Sequence, residues 1–369
     1  MNSQAAHGVP VRYTPSVEVI EDDEPQTIRE LIETMTKIQE ITYRDGGHAI
    51  RSVHAKSHGL IDVEVIVPAN LPPDLAQGMF VRAGTYPGVM RYSTIPGDML
   101  DDNVSVPRGL ALKVMGVEGA RLPGSEGATT QDLTMVNGPA FSTPNAKKFL
   151  GTLKQLAGTT DKAPRLKKAL STALQGIETV LEAVGGKSGT LIAMGGHPET
   201  NVLGETYYTQ VPVLYGDYMA KLSIAPASAG LKALTDAKVD LDDKPDGLRA
   251  AVVEFFTTNG AEWEIKVQFC TDLETMPVED ASVPWPEDES PYLTVARIVA
   301  KPQSAWDAAK SAAIDDGLAF SPWHGLAAHR PLGSVMRARK QTYEMSKRFR
   351  ADHNQVTIEE PRRDASPTV

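Results

Sequence analysis

The chain has 369 residues, with 37 Lys and Arg against 47 Asp and Glu, a formal net charge of −10. That length supplies ample material for a buried core, and the acidic balance argues against a protein that tracks nucleic-acid phosphates. A single cysteine, Cys270, excludes an internal disulfide and a Cys-rich zinc or iron–sulfur site, and it points to a reducing compartment, most simply the cytoplasm. No apolar run approaches the roughly 20 residues that span a bilayer. The opening MNSQAAHGVPVRYTP lacks the basic start and apolar stretch of a secretory signal, so no leader is expected.

Residues 1–24 end in the acidic run Glu21, Asp22, Asp23, Glu24 and read as an arm. Pro25 opens a helix in which Ile28, Leu31, Ile32, Met35 and Ile38 share one face, and Gly46-Gly47 ends it. From about 48 to 138 short strands are expected: DVEVIV (62–67), VMRYSTI (89–95) and GLALKVM (109–115), punctuated by Pro and Gly. The Gly- and Thr-rich loop 119–130 is expected to be exposed. Residues 144–184 switch to helical spacing. Phe149, Leu150, Leu153 and Leu156 form one stripe, and Leu166, Leu170, Leu174, Ile177, Val180 and Leu181 a second.

Four more strands are expected at ETYYTQVPVLY (205–215), YMAKLSIA (218–225), AAVVEFFTT (250–258) and WEIKVQFC (263–270). The Pro-rich stretch 271–330 shows little periodicity beyond LTVARIVA (293–300), and so long a stretch is expected to wrap a core or carry function. A last helix runs from about Gly333 to Arg350, and the residues after it read as a frayed tail. Two sets of strands interrupted by helices, with no βαβ rhythm, predict an α+β fold built on an antiparallel barrel with helical insertions.

Four segments carry polar groups suited to chemistry: RSVHAK (51–56), Arg91-Tyr92-Ser93-Thr94, DLTMVNGPAF (132–141), and RARKQTY (337–343) followed by Arg350. Singly, each has an ordinary reading. A strand histidine is mostly a satisfied polar residue, and Asn before Gly-Pro is a turn residue. Arg and Tyr one turn apart are mostly a packing pair, and exposed arginines enter weak surface ion pairs.

Together, and in this order, they resemble the haem-binding barrel of the catalase family. RSVHAK is similar to that family's segment bearing the distal His, with an Arg three residues earlier. MRYSTI resembles its RFST strand, and SVPRGLALKVM its DPRGFAVKFY strand. DLTMVNGPAF resembles the segment with the distal Asn. WPEDESPYLTVARIVAKP resembles the stretch that wraps the barrel, and RARKQTY has the Arg-x-x-x-Tyr pattern. The resemblance covers roughly residues 45 to 350.

It implies an eight-stranded antiparallel β-barrel with inserted and surrounding α-helices, forming a single domain over 25–350. Within it fall a helical insertion at about 143–185, a wrapping segment at about 271–330 and a haem-ligand helix at about 333–350, between the arm 1–24 and the tail 351–369.

The implied cofactor is haem b (iron protoporphyrin IX), its iron bound through Tyr343. A free phenol titrates near about 10, and a neighbouring cation favours its ionised form. Arg339 stands one turn before Tyr343, and Arg keeps its charge where a buried Lys would not. Arg51, Arg91 and Arg350 match positions that clamp the propionates, Val53 directly precedes the distal His, and Phe149 and Phe141 match aromatic positions around the haem. His54 is then the acid and base that moves a proton between the oxygens of a peroxide. Ser93 fixes its tautomer, and Asn137 offers a neutral amide that orients the peroxide.

Some features depart from the family. Gly138 stands where a second Asn is common, RARKQTY replaces an aromatic-rich RLFSY, and the arm is short. These features are similar to those of small catalase-related haem proteins. The implied activity is reduction of hydrogen peroxide or organic hydroperoxides by an organic electron donor, with low catalase activity. Val53 occupies the place where allene-oxide-forming relatives tend to have Thr, which turns the reading away from rearrangement of fatty-acid hydroperoxides. Intact His54 and Asn137 turn it away from a non-catalytic haem carrier. No nucleic acid or integral membrane segment is implied, and the assembly implied is a homodimer or other homo-oligomer.

Overall fold

A computed structural model describes residues 8–104, 106–157 and 198–361. Helix α1 (Glu24–Gly46) carries Pro in its first turn, where no intrahelical N–H is needed, and buries Ile28, Leu31, Met35 and Ile38. It stops at Gly47, whose φ of +69° permits the left-handed cap in which its N–H reaches Tyr43 O. Helix α2 (Ala146–Ala157) starts after Asn145, whose side-chain oxygen accepts from Lys148 N–H at 3.0 Å. The second stripe expected between Leu166 and Leu181 lies outside the described residues. Helices α3 (Ala229–Lys232), α4 (Gly247–Thr258), α5 (Ala308–Ser311) and α6 (Gly333–Asn354) follow.

Nine strands alternate with them: β1 (Ser57–Val67), β2 (Gly84–Thr94), β3 (Arg108–Met115), β4 (Thr130–Val136), β5 (Tyr207–Tyr208), β6 (Val213–Tyr215), β7 (Tyr218–Pro226), β8 (Ala261–Phe269) and β9 (Leu293–Ala300). All neighbours are antiparallel, in the order β5-β4-β3-β2-β1-β9-β8-β7. Tyr207 and Tyr208 pair with Ile224 and Ser223 of β7, which closes an eight-stranded barrel and leaves β6 as a hairpin arm on β7. A barrel of that size is filled by its own side chains. Met90, Tyr92, Leu110, Leu112, Leu133, Leu222, Ile265, Val267 and Ile298 form that filling.

Strand alternation then decides what the outer face shows. Three successive rungs across β2, β3 and β4 present Ser93–Gly109–Val136, Arg91–Ala111–Thr134 and Val89–Lys113–Asp132. The small Gly109 and Ala111 on the middle strand leave a trough. Helices α1, α2 and α6 pack together through Ile28, Leu31, Met35, Ile38, Ala146, Leu150, Leu153 and Ala338.

Several expectations are corrected. AAVVEFFTT is helical: it belongs to α4, which buries Leu248, Val252 and Phe256 at four-residue spacing, a pattern that a continuous apolar run conceals. The stretch 205–215 is two short strands, broken at Gln210 (φ +63°) and Pro212. LTVARIVA is no wrapping segment but barrel strand β9, between β1 and β8. The loop 119–130 is mostly exposed, as expected, with Leu122 and Ser125 turned inward. Of the tail, only residues up to 361 are described: α6 continues to Asn354, whose side chain pairs with both Ala49 N–H and Ala49 O at 2.8 Å, and Ile358 is buried.

Candidate active site

The trough on β2–β4 is the floor of a pocket whose free space, open solvent at its mouth included, is about 810 Å³. Arg51, Val53, His54, Arg91, Ser93, Thr134, Gln210, Phe320, Arg339, Tyr343 and Arg350 are among its lining residues. The sequence segments around 51, 91 and 343, far apart in the chain, therefore converge. Eight of the eleven sequence-expected residues line the cavity, and Asn137, Phe141 and Phe149 do not.

His54 sits in the turn that leads into β1. Its backbone is left-handed (φ +55°), held by its N–H to Ile95 O at 2.7 Å. Such a conformation is uncommon for a residue with a Cβ and collects at functional sites. Ring Nδ1 lies 3.1 Å from Ser93 Oγ. A Cβ on Gly109 would come within 2.4 Å of the ring, so glycine there is what lets the imidazole lie against β3. Burial, then the charges of Arg91, Arg339 and Arg51, lower the His54 pKa to about 3. The ring is neutral at physiological pH and can accept a proton.

Tyr343 projects from α6. Arg339, one turn earlier, donates from Nη2 to the phenolic oxygen at 2.6 Å and to Thr134 Oγ1 at 2.9 Å, with its guanidinium 5.0 Å from the Tyr343 ring centre. A phenolic oxygen that accepts from a cation is suited to carry negative charge.

The third group is a buried cluster of cations. Arg91 Nε donates to Asp315 Oδ1 at 2.7 Å, and Arg51 Nη1 lies 3.5 Å from the same oxygen. Arg350 reaches the carbonyls of Asp315 at 2.6 Å and Leu318 at 3.2 Å, while its buried Nε finds no partner. Ser57 and Ser311 occupy the other Asp315 oxygen at 2.7 and 2.8 Å, and the neighbouring Asp316 carboxylate turns away to His48. Two guanidinium groups thus share the Asp315 carboxylate, the third is held by backbone carbonyls, and the charge of Asp316 also acts on Arg51 and Arg350. Burial opposes ionisation of Asp315, yet Arg91 and Arg51 bring its pKa down to about 2. Burial and the charge of Arg91 lower Arg350 to about 10, and Arg51 is lowered by burial, Arg91 and Arg350.

Three expected residues are placed otherwise. The Asn137 carboxamide is engaged in the barrel wall: its oxygen accepts from Arg108 N–H at 2.8 Å, and its NH₂ donates to the Glu205 carboxylate. Phe141 and Phe149 pack on each other at 5.2 Å, Phe149 against the α1–α2 helices and Phe141 against the barrel core. Neither is among the cavity's lining residues. Sequence reasoning missed Asp315, Thr134 and Gln210. The acidic pair Asp315-Asp316 inside an apolar stretch was the one signal that could have marked the first. Among the described residues no cluster of three His, Cys, Asp or Glu side chains is arranged for a metal ion, and no helix is long and apolar enough to cross a membrane.

No family model and no curated protein matches the sequence. Solved structures do match. A fungal catalase superposes with a TM-score of 0.58 at 16% identity, over 96% of this chain and 67% of its own. Catalase A from Saccharomyces cerevisiae gives 0.58 at 18%, over 94% and 69%, and a bacterial catalase 0.56 at 16%, over 95% and 65%. The chain spans about two thirds of the length of these proteins. With its closed eight-stranded antiparallel barrel and that superposition, the chain has a catalase-like fold.

Proposed function

We propose that the protein is a haem-dependent hydroperoxidase that reduces hydrogen peroxide or organic hydroperoxides with electrons from an organic donor. The observation that carries this reading is the crowding of three buried arginines beside two carboxylates, Asp315 and Asp316, with an unpartnered Arg350 Nε, next to a phenol that accepts from Arg339. Buried charge without counter-charge is costly, and a group bearing two carboxylates would complete the cluster. Haem b fits these residues: Tyr343 would hold its iron, and Arg51, Arg91 and Arg350 its propionates. When bound, haem supplies the redox-active iron that exchanges electrons with the peroxide.

The chain's own residues manage the protons. Neutral His54 accepts a proton from the hydroperoxide oxygen and returns it to the departing one, so that water or an alcohol leaves in place of an anion. Ser93 Oγ at Nδ1 holds the ring orientation and its tautomer. Val53, Ala111 and Phe320 give the pocket beside it an apolar lining. Arg339 donates to the Tyr343 oxygen and fixes its position.

Reconstitution with haemin tests the reading. The purified protein is expected to take up one haem and to bleach a peroxidase dye with hydrogen peroxide. Tyr343→Phe is expected to lose both haem uptake and turnover. Full haem content and activity in that variant would exclude Tyr343 as the ligand.

A further inference from the structure

The carboxamide expected to orient the peroxide is not at the disposal of the cavity. Asn137 joins the start of β3 to the segment before β5: both ends of its amide are taken, by Arg108 N–H and by Glu205. Glu205 is itself held by Thr200 Oγ1 at 2.6 Å and by Arg108 Nη1 at 3.3 Å. Freeing the Asn137 NH₂ would take this donor from Glu205 Oε2.

A second amide stands at the cavity. Gln210, immediately after β5, lines it together with His54. Its NH₂ nitrogen lies 3.7 Å from where a Cβ on Gly138 would be, so the amide rests over the one position in the segment 132–141 that has no side chain. One N–H is anchored to Ala140 O at 2.5 Å, which fixes the amide plane and leaves a second N–H on the same nitrogen. Among the described residues, five non-glycine residues have left-handed backbone, and His54 (φ +55°) and Gln210 (φ +63°) are the two of them that line the cavity. Strain of this kind persists where the surrounding structure imposes it and where a side chain must be aimed.

We propose that Gln210, in place of Asn137, presents the carboxamide that orients the hydroperoxide beside His54. The inference rests on the haem reading above and names one of its positioning groups. A neutral amide suits the task, since it donates to one peroxide oxygen without placing a carboxylate beside a substrate whose oxygens gain negative charge as the O–O bond breaks. Gly138 is then a spacer: a larger side chain there would push the Gln210 amide off its anchor.

The test uses the full-length, haemin-loaded protein and azide as a non-reacting probe, followed by the shift of the haem absorption band. Gln210→Leu is expected to weaken azide binding about tenfold, the worth of one lost hydrogen bond in a closed site. It should also lower kcat for a hydroperoxide more than it raises KM, with haem content unchanged. Gly138→Leu is expected to reproduce the azide defect with the Gln210 side chain intact. Asn137→Asp keeps the contact to Arg108 N–H but faces Glu205 with a second carboxylate; it is expected to lower the unfolding midpoint, with azide affinity of the folded fraction unchanged. Unchanged azide affinity in Gln210→Leu, or a tenfold loss in Asn137→Asp, would overturn the inference and leave the haem reading standing. Failure of the wild-type protein to take up haemin would overturn both.

Discussion

Two buried charge clusters lie on the same outer face of the barrel, two residues apart along the strands, and they are built on opposite principles. Lys113 on β3, fully buried, donates to Asp132 at 2.7 Å and to Glu360 at 2.6 Å. Asp132 also accepts from Ser321 N–H and Glu360 from Thr130, so this network is closed on itself. Burial works against the Lys113 ammonium, but the two carboxylates outweigh it and raise its pKa. One rung away, Arg51, Arg91 and Arg350 crowd the carboxylates of Asp315 and Asp316, and burial, then the neighbouring arginine charge, lowers the pKa of Arg51 and of Arg350. Self-sufficiency marks the first cluster as structural. The second has the composition of a site that an anion completes.

The largest effect should come from breaking the closed cluster. Lys113→Met leaves two carboxylates facing each other in the interior and is expected to cost about 3–5 kcal/mol, read as a fall in the denaturant midpoint of the whole chain. A loss under about 1 kcal/mol would show that the carboxylates find other partners.

In the open cluster the same kind of change should spare the fold and cost the ligand. Arg350→Met removes a cation from a surplus, so the unfolding midpoint should move far less than in Lys113→Met. Haemin affinity, followed by fluorescence quenching, should fall about ten- to a hundredfold, the value of a charge-assisted hydrogen bond. Equal loss of stability in the two variants would erase the contrast.

The pH dependence sharpens it further. Catalysis needs neutral His54, and burial with three nearby cations lowers its pKa to about 3 without a ligand. Two carboxylates placed among the arginines would offset their charge and raise that value towards the ordinary one of about 6.5. The acid limb of kcat/KM in the haemin-loaded protein is therefore expected between these two values, with activity lost as pH falls through it and constant above. A limb at or above pH 6.5 would show that the arginines do not act on His54. The smallest change is Glu360→Gln, which leaves the Lys113–Asp132 pair in balance; it should lower stability by about 1 kcal/mol in the same unfolding assay.

Much of the barrel was legible because its signals are local. Alternation in GLALKVM puts Leu110, Leu112 and Val114 inward, and so Gly109, Ala111 and Lys113 outward. The stripe of Ile28, Leu31, Met35 and Ile38 needs only helical spacing to define a buried face. α4 was misread because a run such as AAVVEFF is compatible with a buried strand or a buried helix, and only packing separates them. The break at Gln210 depends on a backbone angle that the neighbouring residues impose.

In the site the division is the same. Sequence alone determined the inventory and some of its pairings: Arg339 must lie one turn from Tyr343, and Arg91 and Ser93 must share a strand face, because helix and strand periods are set by the backbone. Tertiary structure decided everything that depends on who competes for a hydrogen bond. It brought Asp315 to three arginines, committed Asn137 to Arg108 and Glu205, and left Gln210 at the cavity. Burial makes an unmet polar group costly, so each partner is chosen by what the whole chain places nearby, and no local pattern records that choice.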